Sequence, residues 1–166
     1  MRNKFALIAA ALFLAGCQLR PLYSGGSSGP VAATLSSVTI APIEGQVGWL
    51  VFNELRDRLA ASGNGEARYR LEVELDDDIV GLGIRGDRAV TRERRSLRAR
   101  YQLVDLSNGS VVLDATAGSD AGIDVVSSEY ATVAAEQTAA ERLSEAVADQ
   151  IVARLSLYAA RTPAAR

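Results

Sequence analysis

The chain has 166 residues, with 18 basic and 20 acidic side chains and no histidine, so its formal net charge is −2. Without histidine and with Cys17 as its one cysteine, it offers no imidazole base and no ligand set typical of zinc, which excludes most hydrolase chemistry. A chain of this length is expected to form one domain.

The first 17 residues have the pattern of an export signal that ends in a lipidation site. Arg2 and Lys4 precede an apolar run at residues 5–15, which is shorter than the roughly 20 apolar residues of a membrane-spanning helix. Small Gly16 then precedes Cys17, as in bacterial lipoproteins, which this N-terminus resembles. We therefore expect residues 1–16 to be a signal peptide that is removed.

The same resemblance implies that Cys17 becomes the first mature residue and carries a diacylglycerol group on sulfur and an acyl chain, such as palmitate, on nitrogen. Gln18 after the cysteine implies sorting to the outer membrane. The alternative is an ordinary secretory signal followed by an unmodified cysteine. Loss of residues 1–16 removes Arg2 and Lys4 and no acidic residue, which leaves a formal charge of −4.

Composition then divides the mature chain into a tether, a domain and a short tail. Residues 24–30 read Ser-Gly-Gly-Ser-Ser-Gly-Pro, so residues 17–35 are predicted to be the lipidated N-terminus and a flexible tether. Residues 36–160 are predicted to form the single domain and residues 161–166 a C-terminal tail. Within the domain, alternation of Val38 and Ile40 predicts a first strand at residues 37–43.

The remaining elements follow from changes in hydrophobic period. Residues 46–62 have helical spacing, and residues 68–75, 97–103 and 111–115 alternate as strands, with an Asn-Gly turn at residues 108–109. A long helix is predicted from residue 129 to about residue 160, with Ser128 as its cap. This order predicts an α+β two-layer sandwich, in which two helices cover one face of a four-stranded mixed sheet and the other face stays polar.

Two motifs in the middle of the chain have weak functional interpretations. Residues 81–86 match the dinucleotide pattern G-x-G-x-x-G, with Asp105 further on, but the following segment predicts a strand where the motif needs a helix. A glycine-rich bend or hairpin explains the match. Asp76, Asp77 and Asp78 have carboxylates for a hard cation but lack the spacing of a calcium loop, which favours a solvated strand end or bulge. We expect no metal and no cofactor.

The better candidate site is a basic cluster at residues 85–100. It has seven arginines against Asp87 and Glu93, a local charge of +5. If this segment is a strand, five of them (Arg88, Arg92, Arg94, Arg98 and Arg100) share one face. Export argues against nucleic acid as the partner and favours phosphorylated glycolipids or acidic protein surfaces. The alternative is a solvated face paired with Glu72 and Glu74. The full set of candidate ligand-binding residues is Arg85, Arg88, Arg92, Arg94, Arg95, Arg98 and Arg100.

Residues 17–23, Cys-Gln-Leu-Arg-Pro-Leu-Tyr, resemble the start of the LPS-assembly lipoprotein LptE family, which also has the element order strand, helix, three strands, long helix. The resemblance covers essentially the whole mature chain. It implies an outer-membrane lipoprotein, anchored by its lipid, that plugs the lumen of the LptD β-barrel, assists assembly of that barrel and helps deliver lipopolysaccharide to the outer leaflet. It also implies lipopolysaccharide binding through basic residues, for which this chain offers only the basic cluster.

Two other functional classes are compatible with the sequence. One is an auxiliary lipoprotein of an ABC-type lipid transporter, which would associate with an inner-membrane complex. The other is an enzyme that uses the loop at residues 81–86, although the chain offers no histidine, no reactive cysteine and no evident carboxylate pair. We therefore expect a protein that is not an enzyme.

Overall fold

The computed structural model describes residues 29–63, 65–84 and 90–162. The predictions for the signal peptide, Cys17, Arg85 and Arg88 lie outside these residues. The described part has seven elements, which confirm the predicted α+β class and add one short helix: α1 (Pro30–Leu35), β1 (Val38–Ile40), α2 (Gly45–Ala60), β2 (Tyr69–Ile84), β3 (Val90–Asp105), β4 (Val111–Asp124) and α3 (Glu129–Arg161).

The four strands form one mixed sheet in the order β1-β2-β3-β4. β1 is parallel to β2 and pairs only with the first three residues of β2, from Tyr69 to Leu71. The pairs of β2 with β3 and of β3 with β4 are antiparallel. In the middle of the sheet Ala99 lies between Leu75 and Ala117. The register of β3 and β4 shifts between Leu103 and Val104, which marks an irregularity at the hairpin end.

The alternating sequence places one apolar face of the sheet against the helices. On β3 the side chains of Leu97, Ala99, Tyr101 and Leu103 are buried, as the alternation predicts. They pack in one core with buried residues of α2 and α3, among them Val51, Leu55, Val147, Ile151 and Leu155. Burial of each such aliphatic side chain contributes roughly 1.5–3 kcal/mol, so this core is the main source of stability.

The long helix α3 begins where the sequence predicts. The Ser128 hydroxyl accepts a hydrogen bond from the Ala131 amide, and Glu129 lies in the first turn, where the helix dipole favours an acidic residue. Small side chains such as Ala139, Ala140 and Ala148 are buried along α3. In the described part of the chain no helix is both long enough and apolar enough to cross a membrane.

Three predicted boundaries differ from the structure. Residues 30–35 belong to the predicted tether but form α1, because Pro30 begins a helix and Val31 and Leu35 are buried. Asp76, Asp77 and Asp78 do not interrupt the strand, since β2 runs through them without a register shift. The Asn-Gly turn lies where predicted, with Gly109 at φ +71°, but within a connection longer than two residues.

Candidate functional site

The candidate site lies on the face of the sheet that points away from the helices, here called the open face. Four arginines of β3 project from it at alternate positions and are exposed; they are called the arginine row and are Arg92, Arg94, Arg98 and Arg100. Their parity is opposite to that of buried Leu97, Ala99 and Tyr101. The structure thus confirms the predicted exposure of these four side chains.

Three members of the row form ion pairs with aspartates of the neighbouring strand β4. The Arg92 Nε lies 3.0 Å from Asp124 Oδ1, the Arg98 Nη2 donates to both Asp120 oxygens at 2.9 Å, and the Arg100 Nη2 lies 3.0 Å from Asp114 Oδ2. The alternative interpretation of the sequence, a solvated face paired with Glu72 and Glu74 of β2, is therefore wrong about the partners of these three arginines. The arginine row therefore turns toward β4, and its charge is partly neutralised there.

These contacts favour the charged forms of the aspartates. The hydrogen bond from Arg100 is the main cause that lowers the pKa of Asp114, with a second hydrogen bond from Gln102. Hydrogen bonds from the Ser96 hydroxyl and then from Arg98 lower the pKa of Asp120. The pKa of Arg100 is raised by the same hydrogen bond to Asp114. Near neutral pH Arg100, Asp114 and Asp120 are therefore ionised.

Arg94 differs from the other members of the row. It forms no ion pair with any residue in the described ranges, although it is exposed. Its cross-strand neighbours are Val80 on β2 and Gly122 on β4, and Leu82 lies opposite Arg92. Val80 and Leu82 are exposed as well. This end of the open face therefore combines guanidinium groups with aliphatic side chains.

Arg95 belongs to the other face of the sheet. Its side chain is only 12% exposed and donates two hydrogen bonds to the Asp77 carboxylate, at 2.8 and 2.6 Å, and one to the Glu136 carbonyl of α3, at 2.9 Å. The hydrogen bond with Asp77 is the main cause that raises the pKa of Arg95. These contacts connect β2, β3 and α3, and they give Arg95 a structural role apart from the arginine row.

An open depression of about 670 Å³ lies over the middle of the open face. It is lined by both carboxylates and guanidinium groups, including Glu74, Asp76, Arg98 and Arg100. Gly118 and Arg98 both line the depression, and the stem of Arg98 lies across this glycine. A Cβ atom at position 118 would lie 2.6 Å from Arg98 Cδ. Gly118 therefore makes room for Arg98 to reach Asp120.

The outer edge of β4 has a contact that sequence reasoning did not find. The Gln150 side chain of α3 donates to the Gly118 carbonyl and accepts from the Gly118 amide, each at 3.1 Å. It thereby satisfies both backbone groups that an additional strand would use at this position. Because residues 118 and 150 are far apart in sequence, only the tertiary structure reveals this pair.

Comparisons with known proteins agree with this fold. The model of the family "LptE: Lipopolysaccharide-assembly" matches residues 35–155. The uncharacterized protein RP188 of Rickettsia prowazekii (strain Madrid E) is 25% identical over 152 residues, which cover 92% of this chain and 94% of that protein.

Two crystal structures are similar as well. A putative lipoprotein from Caulobacter crescentus CB15 has a TM-score of 0.68 and 25% identity, over 81% of this chain and 100% of that chain. A minor lipoprotein from Acinetobacter baumannii has a TM-score of 0.60 and 16% identity, over 74% of this chain and 92% of that chain, which supports the fold alone.

The fold is therefore that of an α+β lipoprotein domain whose sheet has one open, charged face. Because its family model covers most of the domain, the chain belongs to the LptE lipopolysaccharide-assembly family. A role in lipopolysaccharide assembly and the character of a membrane-associated lipoprotein follow from this membership.

Proposed function

We propose that this chain is a non-enzymatic outer-membrane lipoprotein, anchored through Cys17, that plugs an LptD-like β-barrel and helps deliver lipopolysaccharide to the outer leaflet. Membership of the lipopolysaccharide-assembly family is the observation that carries this proposal. The open face supports it, because a charged sheet surface is compatible with the polar interior of an outer-membrane barrel.

We further propose that the arginine row contacts the phosphate groups of lipopolysaccharide. A guanidinium group matches phosphate oxygens with two parallel hydrogen bonds. Arg94 is available for such a contact. The ion pair between Arg92 and Asp124 is exposed to solvent, since the two side chains are 65% and 74% exposed. Exposed pairs contribute only about 0–1 kcal/mol, so a phosphate can replace Asp124 at small cost.

Within the row, Arg98 and Arg100 are less available to a ligand than Arg92 and Arg94 are. Arg98 holds Asp120 with two hydrogen bonds, and Arg100 shares Asp114 with Gln102. A phosphate must displace these carboxylates before it binds. Arg85 and Arg88 stay candidates from the sequence, whereas the contacts of Arg95 with Asp77 and Glu136 assign it to the helix face.

The test is lipopolysaccharide binding by a variant in which Arg92 and Arg94 are both replaced by glutamate. We expect at least about a tenfold weaker affinity, because charge-assisted hydrogen bonds contribute roughly 1.5–3 kcal/mol each. Arg142→Glu is the matched control, since Arg142 is an exposed arginine of α3. Circular dichroism should be unchanged in both. Equal affinity of the double variant and the control would contradict the assigned role of the row.

The alternative, an auxiliary lipoprotein of an ABC-type lipid transporter, predicts association with an inner-membrane complex instead of a large outer-membrane barrel. Fractionation and co-purification distinguish the two.

A further inference from the structure

The sheet has two outer edges, and they differ in how their backbone groups are satisfied. On β4, the Gln150 side chain occupies the amide and the carbonyl of Gly118. On β2, the neighbouring strand β1 ends at Ile40, whose partner is Leu71. From residue 72 to residue 84, β2 has no second neighbouring strand among the described residues.

The register shows which backbone groups point to this bare edge. The Tyr69 amide donates to Ser37 and the Leu71 carbonyl accepts from Ala41, so odd-numbered residues of β2 point toward the β1 side. This alternation continues because β2 pairs with β3 without a register shift. The amides and carbonyls of Val73, Leu75, Asp77, Ile79 and Gly81 therefore face outward at the edge.

The side chains along this edge divide into an acidic half and an aliphatic half. Glu74, Asp76 and Asp78 project from the open face and form no ion pair with the described residues, since Arg98 and Arg100 pair with β4 instead. Beyond them, Ile79, Val80 and Leu82 are exposed. Charged residues alone often protect an edge strand, but an exposed aliphatic segment on an edge is a template for pairing.

We propose that the edge of β2 from Val73 to Gly81 is a docking site for an extended basic segment of a partner protein, which adds to the sheet as a fifth strand. The main chain of that segment binds the outward amides and carbonyls. Its arginine or lysine side chains lie beside Glu74, Asp76 and Asp78. A second copy of this chain is a poor occupant, because it would bring another acidic edge to this one. The inference is independent of the proposed lipopolysaccharide site.

The probe is a capped synthetic peptide in which arginine alternates with valine, added to the mature chain. The control peptide has the same composition with its arginines and valines in two separate blocks. We expect the alternating peptide to bind and to slow hydrogen exchange of the outward amides of Leu75, Asp77 and Ile79. The amides of Asp76 and Asp78, which point to β3, should change little.

Two variants separate the backbone and charge contributions. Ile79→Pro removes one outward amide without removing a hydrogen bond to β3, and should weaken peptide binding about tenfold, the effect of one lost hydrogen bond. The triple variant E74Q/D76N/D78N tests charge and keeps the backbone edge intact, so it serves if the proline variant fails to fold. It should also weaken binding.

Several outcomes would overturn the proposal. They are the absence of binding by the alternating peptide, equal binding of the block peptide without protection of the outward amides, and pairing of the unliganded chain with itself at this edge, detected by sedimentation. Unaltered binding by the triple variant would overturn the assigned charge of the partner segment.

Discussion

At the scale of single residues, Arg95 and the members of the arginine row illustrate how burial decides the role of a guanidinium group. Arg95 is 12% exposed and forms three hydrogen bonds, whereas Arg92 is 65% exposed and forms one ion pair. A partly buried carboxylate that loses its partner is left with a desolvation cost, but an exposed one is solvated by water.

We predict that Arg95→Ala lowers the free energy of unfolding by about 2 kcal/mol, because it leaves Asp77 without its bidentate partner. Arg92→Ala, the matched exposed control, should change it by less than about 0.5 kcal/mol. Urea unfolding of both variants measures the difference. Arg95→Lys should restore only part of the loss, since an ammonium group lacks the planar fork. Equal stability of the alanine variants would refute the structural role of Arg95.

A second residue-scale prediction concerns Ser144 in the middle of α3. This residue is fully buried, and its hydroxyl has no hydrogen-bond partner among the described residues. Replacement by alanine removes an unsatisfied polar group at nearly constant shape, so Ser144→Ala should raise the free energy of unfolding by about 1 kcal/mol. The comparison is Ser156→Ala, because the Ser156 hydroxyl donates to the Val152 carbonyl and its loss should not stabilise the protein.

The sequence predicted the faces of the strands better than it predicted single contacts. Alternation alone placed Arg92, Arg94, Arg98 and Arg100 opposite Leu97 and Ala99. The same parity already left Arg95 out of the five arginines predicted to share one face, but local charge kept it in the full set of candidate ligand-binding residues. The pairing of Arg95 with Asp77 depends on the strand register, which pattern reasoning did not supply.

At the scale of secondary structure elements, the aspartates of β2 explain the main error in strand length. Aspartate is disfavoured in strands, so three in succession predicted an end or a bulge. In the structure Asp76 and Asp78 lie on the solvated open face and Asp77 is paired with Arg95. Tertiary contacts therefore outweigh local propensity. Similarly, Pro30 is typical of a first helical residue, a signal for α1 that the flexible composition before it obscured.

The pairing of β3 with β4 makes stability depend on pH in the acid range. Asp114 and Asp120 have pKa values below the ordinary value in the folded state, as does Asp105, which accepts hydrogen bonds from the Ser107 hydroxyl and amide. The stabilisation is therefore present above the unfolded-state pKa of about 3.9 and is lost as the pH falls through the lower folded values.

We predict that unfolding in urea requires less denaturant at pH 3 and below than at pH 6. The double variant D114N/D120N should lose less stability over the same interval, because its two amides do not titrate. Parallel curves for the variant and the wild type would contradict the assignment of this pH dependence to the two aspartates.

At the scale of the whole molecule, the fold separates structural and interaction surfaces. The helix face holds the core, including Leu71, Leu97 and Ile151, and the contacts of Arg95 with Asp77 and Glu136. The open face has the arginine row. The two outer edges of the sheet differ, because Gln150 bonds backbone groups of β4 whereas β1 pairs with only the first three residues of β2. Family membership and element order agree with the resemblance seen in residues 17–23.

The most direct test of the central proposal is affinity purification of the tagged, full-length lipoprotein from detergent-solubilised outer membranes, followed by mass spectrometry. We expect recovery of a large β-barrel in stoichiometric amount, with lipopolysaccharide in the same complex. Recovery of an inner-membrane transporter in place of the barrel would contradict the plug function and favour the alternative, an auxiliary lipoprotein of an ABC-type lipid transporter. Recovery of the lipoprotein alone would also contradict the plug function.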